Sequence, residues 1–310
     1  MFLTSHYSIV WFRTLVARFH RLGGPEVLQF DEITLEGYGE LLLKVKAIGI
    51  NGMEVFFRAG VLAVGEGIKG LCTGDHVATI PGFTSVPGFA TEMKGHECAV
   101  YGEQAYVPAD IVVKMPNDIS FIDGVALWMQ YSTDWNAMLD TAKLQKGEYG
   151  AITICTTRSR SKVAALKSIG IGHVIVASEQ DIATEVARIT DGIGCRVIYD
   201  PIAGENINKL LDALVINGIL LIYGVLDLSP ALIDPLKGMA KFATIKFSAV
   251  FQTLSNPKKR AKMVNFVLRV ISEGVLRPVI DKTFSFHDIA EAHRYLERNQ
   301  HVGKVIVTVG

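Results

Sequence analysis

Thr156, Thr157, Arg158, Arg160 and Lys162 crowd the end of an apolar, β-branched run, Ala151 to Cys155, and Val163-Ala-Ala-Leu-Lys167 then begins a helix. Hydroxyls and fixed cations at a strand-to-helix turn are what a doubly wound fold uses to hold an anionic ligand. An arginine at the end of the second strand of a dinucleotide fold accommodates the 2′-phosphate of NADP, where NAD enzymes place an acid. No glycine-rich strand-turn-helix precedes this stretch. Other candidates sit at or just past the carboxyl ends of later strands: Asp200-Pro201, Tyr223-Gly224 and Phe251. Ligands of open α/β sheets bind outside those ends, so these residues together with Thr157 and Arg158 outline a nucleotide crevice.

Three further clusters have the right residue types and the wrong setting. Gly60, Gly65, Gly67 and Gly70 lie in turns between strands rather than between a strand and a helix, so they are a weak phosphate loop. Gly95-His96-Glu97-Cys98 copies a zinc-enzyme triplet but follows the Gly74-Asp75-His76-Val77 turn instead of preceding it, and a metal site needs three or four converging ligands. His287 and His293 are six apart, which does not put them on one helix face, and solvated helix positions are expected for both. No metal site is expected.

The elements that must position these residues fall into two textures. The first third alternates or runs apolar over Val16–His20, Gln29–Leu35, Glu40–Ile50, His76–Ile80 and Ala99–Val107, broken by Gly-Pro, Gly-Asp and Pro-Gly turns. From Ile122 to Leu144 the texture is helical. Strands then read at 151–155, 173–177, 196–200, 219–223 and 244–250, with intervening helices closing on Gly170, Gly192 and Gly218. Strand-helix alternation of this kind implies a parallel sheet covered on both faces. A helix over Pro257–Glu273, a strand-like Val279-Ile280, a helix near Asp288–Arg298 and a strand over Lys304–Val309 finish the chain.

Composition narrows the function classes. Of 310 residues, 49% are hydrophobic and 20% charged, which suits about two globular domains. With 31 basic and 31 acidic residues there is no electrostatic footprint for nucleic acid. No apolar run is long enough to span a bilayer. Cys72, Cys98, Cys155 and Cys195 lack C-x-x-C spacing and suit a reducing, cytoplasmic setting. Before Glu26 the chain is free of acids and carries Arg13, Arg18 and Arg21, a composition shared by mitochondrial presequences and by a plain extension into a first strand; the extension is the preferred reading.

Several segments, in order, resemble the medium-chain dehydrogenase/reductase superfamily in its zinc-independent quinone oxidoreductase and enoyl reductase branch. They are Arg21-Leu-Gly-Gly-Pro-Glu-Val-Leu28, Gly49-Ile-Asn51 through Phe57-Arg58-Ala-Gly60, Ala63-Val-Gly-Glu-Gly67 to Val77, Ala126-Leu-Trp-Met-Gln-Tyr131 with Thr133, Tyr199-Asp-Pro201, Gly218 to Gly224, and Asn299-Gln-His-Val-Gly-Lys304. The resemblance implies an α/β protein: a GroES-like β-rich domain over 1–125, completed by 275–310, and a Rossmann-type doubly wound parallel sheet over 126–274. It implies NADPH, no zinc, hydride transfer to a quinone, enone or enoyl-type small-molecule substrate, and a homodimer. Asn51 and Thr133 would lie at the reacting centre. Thr157, Arg158 and Lys162 would hold the 2′-phosphate end, and Tyr223, Gly224, Phe251 and Lys304 would line the cofactor cleft.

Two segments of that pattern are missing. Gly60 passes at once to Val61-Leu-Ala-Val64, and Lys146-Gly147-Glu148 leads through Tyr149-Gly150 straight into Ala151. Five residues separate Lys146 from Ile152, whereas a strand-helix-strand unit takes roughly 30. The first strand and its phosphate-cradling turn are therefore expected to be absent from the doubly wound sheet. A second reading follows, in which the chain is a catalytically impaired or silent homologue, an interaction or dimerisation module, or a truncated gene product.

Overall fold

The computed structural model describes residues 10–18, 20–21, 23–37, 41–50, 55–63, 68–80, 101–107, 109–144 and 152–310. It divides into two units, Met1–Tyr131 with Val264–Gly310, and Ser132–Met263.

The first unit is built on antiparallel strands. β1 (Val10–Arg18) pairs with β2 (Gln29–Gly37), and Asp31 of β2 ties down Arg18 and His20. β3 (Leu41–Ile50) is apolar at nearly every position because both of its faces are covered: Leu41, Leu43, Val45 and Ile48 join one core cluster, while Ala47 joins another with Val125, Ala126 and Ile306. Around it lie β4 (Val55–Ala63), β5 (His76–Thr79), β6 (Gln104–Val107) and β7 (Val112–Lys114). The sheet is completed from the far end of the chain. In the order β13-β14-β3-β4-β5-β7, β13 (Ile280–Ser285) and β14 (Lys304–Thr308) are parallel to each other, and β14 is antiparallel to β3 with Val305 opposite Ile50. Helix α8 (Ile289–Glu297) packs Ile289 and Ala292 into the same core.

In the second unit the helix α1 (Phe121–Asp134), which enters from the first unit, relaxes into a π-helical turn, Trp135–Thr141. Next come β8 (Ile154–Thr157), α2 (Val163–Ser168), β9 (His173–Val176), α3 (Ile182–Ile189), β10 (Cys195–Asp200), α4 (Ile207–Asp212), β11 (Leu214–Ile222), α5 (Pro235–Lys241), β12 (Thr244–Phe247), α6 (Phe251–Leu254) and α7 (Pro257–Ser272), which leads back out. All pairings among these strands are parallel. They form two sheets and not one: β8 with β9, and β10-β11-β12. A doubly wound sheet has the order 3-2-1-4-5-6. Five strands in the present grouping are its 3-2 and 4-5-6 halves, divided at the position of the missing first strand.

Some expected boundaries move. The strand read at 151–155 starts at Ile154, with Ile152 exposed. The first strand lies at Val10–Arg18 and not Val16–His20, and β4 and β7 were not anticipated. Gly170 and Gly192 stand just past α2 and α3 with positive φ, as helix-ending glycines do. Gly218 instead lies inside β11, beside the register shift between Cys195 and Val197. A Cβ there would meet the Val215 carbonyl oxygen at 2.8 Å. The Gly60–Gly67 turns and Gly95–Cys98 fall, wholly or in their side chains, outside the described residues.

A buried polar knot fastens α6 to the π-helical turn. Asn136 donates to Ser248 Oγ at 2.7 Å and accepts from Thr253 Oγ1 at 2.8 Å, and all three residues are buried. Asn136→Ala strands both hydroxyls without their amide partner. It is expected to cost about 2–3 kcal/mol of unfolding free energy, measured by denaturant titration.

Candidate cofactor crevice

The carboxyl ends of β8, β10 and β11 supply the residues that the nucleotide reading needs, and local hydrogen bonding explains their placement. At the end of β8, Thr157 Oγ1 accepts from the Ser159 backbone N–H at 3.2 Å, and Ser159 Oγ accepts from Ser161 N–H at 3.3 Å, so the turn is closed by its own hydroxyls. Arg160 is bound to Glu179, and the Arg158 carbonyl accepts from Ser178 Oγ at 2.7 Å. The Arg158 side chain is exposed and Lys162 is half-buried. Asp227, in the loop after β11, is held below the usual carboxylate range first by the Ser229 hydroxyl and backbone, with the Arg158 guanidinium contributing at longer range.

At the ends of β10 and β11 the backbone is drawn tight. Asp200 accepts from Ala203 N–H at 2.7 Å and Ile202 N–H at 3.2 Å. Tyr223 N–H and Leu226 N–H donate across to the Asp200 and Pro201 carbonyls. Gly224 is needed for this approach, since a Cβ there would lie 2.7 Å from the Pro201 carbonyl oxygen. Tyr199 and Tyr223 stack with centroids 3.7 Å apart and planes inclined by 13°. The surrounding protein desolvates Asp134, the residue after Thr133, and pushes its carboxyl up to about 6, partly offset by the Tyr199 hydroxyl, although the residue keeps an exposed surface. Burial drives Tyr199 well above the usual phenol range and Tyr223 up to about 12. The Tyr199 hydroxyl is buried and, although it feels the Asp134 carboxylate, closes no hydrogen bond of ordinary geometry.

Seven of the nine expected residues, Thr133, Thr157, Arg158, Lys162, Tyr223, Gly224 and Phe251, lie in the second unit. Thr133 is in the last turn of α1 and Phe251 opens α6, and the Asn136 knot joins those two segments. Lys304 belongs to the first unit, at the start of β14, and Asn51 lies outside the described residues. Asp134, Tyr199 and Asp227 had not been singled out as site residues. Their signal was positional: Asp134 adjoins Thr133, Tyr199 sits one residue before a strand end, and Asp227 follows the Tyr223-Gly224 turn. His293 is not a solvated helix position. It is half-buried, hydrogen-bonded to Tyr101 Oη at 2.8 Å, and its pKa is lowered by burial. Among the described residues no group of three His, Cys, Asp or Glu side chains is arranged to hold a metal.

Residues 169–307 match the family model for zinc-binding dehydrogenases. A 2-haloacrylate reductase from a Burkholderia species is 26% identical over 335 residues, covering 94% of this chain and 98% of its own. The family-model domain and these relatives are consistent with the medium-chain dehydrogenase/reductase superfamily, in its quinone oxidoreductase and enoyl reductase-like branch. Solved structures agree on the fold: a quinone oxidoreductase of Pseudomonas syringae pv. Tomato DC3000 superposes with a TM-score of 0.79 at 21% identity, covering 95% of this chain and 99% of that one. The CurK enoyl reductase gives 0.80 at 19% identity, covering 96% and 99%. An alignment of 335 positions laid on a chain of 310 leaves at least 25 positions of the reductase comparison without a counterpart here.

The crevice fits a dinucleotide at one end only. An exposed Arg158 with Lys162 nearby suits a phosphomonoester on the adenosine side. The pyrophosphate would need backbone N–H groups at the start of a helix following the first strand. Among the described residues no strand lies between β8 and β10 to carry such a turn.

Lys304 is buried at 4% exposure, and a Cβ added to Gly49 would lie 3.0 Å from its Cε. Desolvation lowers its ammonium to about 7 from an ordinary 10.5. The unfolded chain therefore binds more protons than the folded one between about pH 7 and 10.5, and stability gains over that range as pH rises. Lys304→Met removes that ionisation penalty, so its stability relative to the wild type is expected to be most favourable near pH 7. The advantage should shrink toward pH 10.5, which denaturant curves at pH 6.5, 8 and 10 will read.

Proposed function

We propose that the chain is a zinc-independent, NADPH-dependent oxidoreductase lineage member whose substrate is a quinone, an enone or an enoyl-type compound. The observation that carries this reading is a reductase relative aligned over 94% of the chain, combined with a cationic, hydroxyl-lined end of β8. The nicotinamide, when bound, supplies the hydride, and the protein contributes position and polarity. In this reading Arg158 and Lys162 engage the 2′-phosphate with Thr157 shaping their turn. Tyr223, Gly224, Phe251 and Lys304 flank the cofactor, and Asn51 and Thr133 contact the reacting end. A cytoplasmic setting accords with the described cysteines, Cys72, Cys155 and Cys195, being free thiols.

The divided sheet favours a second reading beside it: a homologue with impaired cofactor binding, acting through its surfaces. The two readings separate in a titration of the purified chain with NADPH and NADH followed by nicotinamide fluorescence. An oxidoreductase prefers NADPH, and Arg158→Ala should erase most of that preference, about tenfold, with little effect on NADH. No saturable binding of either nucleotide at millimolar concentration overturns the enzymatic reading.

A homodimer fits the second unit's surface. Among the described residues β12 is bonded to β11 alone, and Leu228, Leu232, Leu236, Met239 and Phe247 are each more than two-thirds exposed. An apolar surface of this kind beside an open strand edge marks an association site. Phe247→Asp is expected to shift the mass measured by light scattering from dimer to monomer, and a monomeric wild type would remove the proposal.

A further inference from the structure

Asp134 stands where three elements of the second unit meet. It occupies the last turn of α1, directly before the π-helical turn Trp135–Thr141. Such turns are rare and concentrate at functional sites. Ala137, three residues on, shares a helix face with Asp134, and Tyr199 of β10 packs against the cluster that Ala137 forms with Leu221. The Tyr199 ring is thereby brought to that face, where its hydroxyl interacts with the Asp134 carboxyl. Tyr223, just past β11, completes the group by stacking on Tyr199 with centroids 3.7 Å apart.

Two properties that oppose one another in an ordinary surface carboxylate coincide here. Protein surrounds Asp134 closely enough to desolvate it, yet the residue keeps exposed surface. A carboxyl crowded by protein and still wetted can hold a proton near neutral pH and recover it from bulk water. Few titratable groups face it. Tyr199 does so from β10, and Tyr223 feels both Asp134 and Asp200. No cation is among the groups that set its ionisation, so no neighbour holds it permanently charged.

We propose that Asp134 delivers the proton that accompanies hydride transfer to an enone or enoyl-type substrate, with Tyr199 positioning its carboxyl. The inference rests on the oxidoreductase reading, which sets Thr133 at the reacting end and Tyr223 along the cofactor. The balance is that of a two-electron reduction. Two electrons and a hydrogen reach the substrate β-carbon from the nicotinamide, which is thereby oxidised, and the carbon–carbon π electrons shift toward the carbonyl. The Asp134 O–H bond breaks as its proton passes to the α-carbon or the enolate oxygen, leaving a carboxylate. Water returns the proton through the exposed surface. The Tyr199 hydroxyl is itself buried away from any substrate and acts through Asp134.

The first test needs no cofactor. Isotope-labelled aspartate carboxyls of the full chain are titrated by NMR, and Asp134→Asn identifies the Asp134 signal by its loss. A midpoint of about 6 is expected. It should rise in Tyr199→Phe, because the hydroxyl favours the charged carboxylate. A midpoint at the ordinary 3.8 overturns the proposal. The second test is NADPH-driven reduction of cyclohexenone between pH 5 and 8, with NADPH binding read separately by nicotinamide fluorescence. Wild-type kcat should fall with a slope approaching about tenfold per pH unit above the midpoint. Asp134→Asn should lower kcat at pH 6 by about tenfold or more and flatten its pH dependence, with the NADPH Kd held within about twofold. Asp134→Glu should recover part of the rate together with the pH dependence. Equal kcat in the wild type and Asp134→Asn overturns the proposal and leaves the oxidoreductase reading standing. Absence of NADPH binding removes that reading and this inference together.

Discussion

Backbone hydrogen bonding across a parallel sheet is the constraint from which the second unit takes its form. Each inner strand of such a sheet is satisfied only by neighbours on both sides, and the helices that cover its faces offer no substitute for edge bonds. β10 and β11 obey this rule toward one another and toward β12, and their buried residues Leu220, Leu221 and Ile222 are the result. At β8 and β10 the rule stops. What keeps those two strands in a common body is side-chain packing on the cluster around α3, with β10 also packed on the π-helical turn, a non-directional force that sets proximity without setting register.

The first unit shows the contrary case. Its main sheet reaches from β7 to β13, and strands from opposite ends of the sequence meet where β14 lies on β3. Eight of the ten residues of β3 are apolar, and most are fully buried, because neighbours cover both edges and both faces. That completeness is what desolvates the Lys304 amine and disfavours its ammonium form. Lys304 begins β14 beside Gly49, and its depressed pKa reflects a closed environment rather than a charge partner acting to lower it. A core that carries such a group draws on hydrophobic burial well in excess of the desolvation cost.

The sequence disclosed the order of elements well because order depends on local pattern. Apolar runs at 173–177, 196–200 and 244–250 stand close to β9, β10 and β12, and Gly170 and Gly192 end helices as their φ values require. Gly218 was misjudged because the same residue serves a strand irregularity as well as a helix end, and only the pairing register of β10 on β11 distinguishes them. The loss of the first strand was legible from chain length alone, since no conformation of five residues replaces a strand and a helix. Its consequence, two sheets sharing cores but not hydrogen bonds, required coordinates. The Tyr199–Tyr223 stack and the desolvated Asp134 were hidden for the same reason: each arises from elements distant in sequence.

The two ends of the candidate crevice depend on different physics, and this decides what such a chain can retain. The Arg158 end is made by one turn, closed by Thr157, Ser159 and Ser161 and tied to the loop after β9 through Ser178. It needs only β8 and β9, so it survives division of the sheet. Its guanidinium is exposed, where a phosphate contact is screened by water and salt and is worth little by itself. A pyrophosphate cradle works by fixed backbone dipoles, and these are aimed only when a central strand sets the helix behind them. In the proposed reading, selectivity for a phosphorylated nucleotide would reside in the part that persists, and most of the affinity in the part that division removes. Asp227, in the loop after β11, is held first by its own Ser229 contacts and feels the Arg158 guanidinium only at longer range.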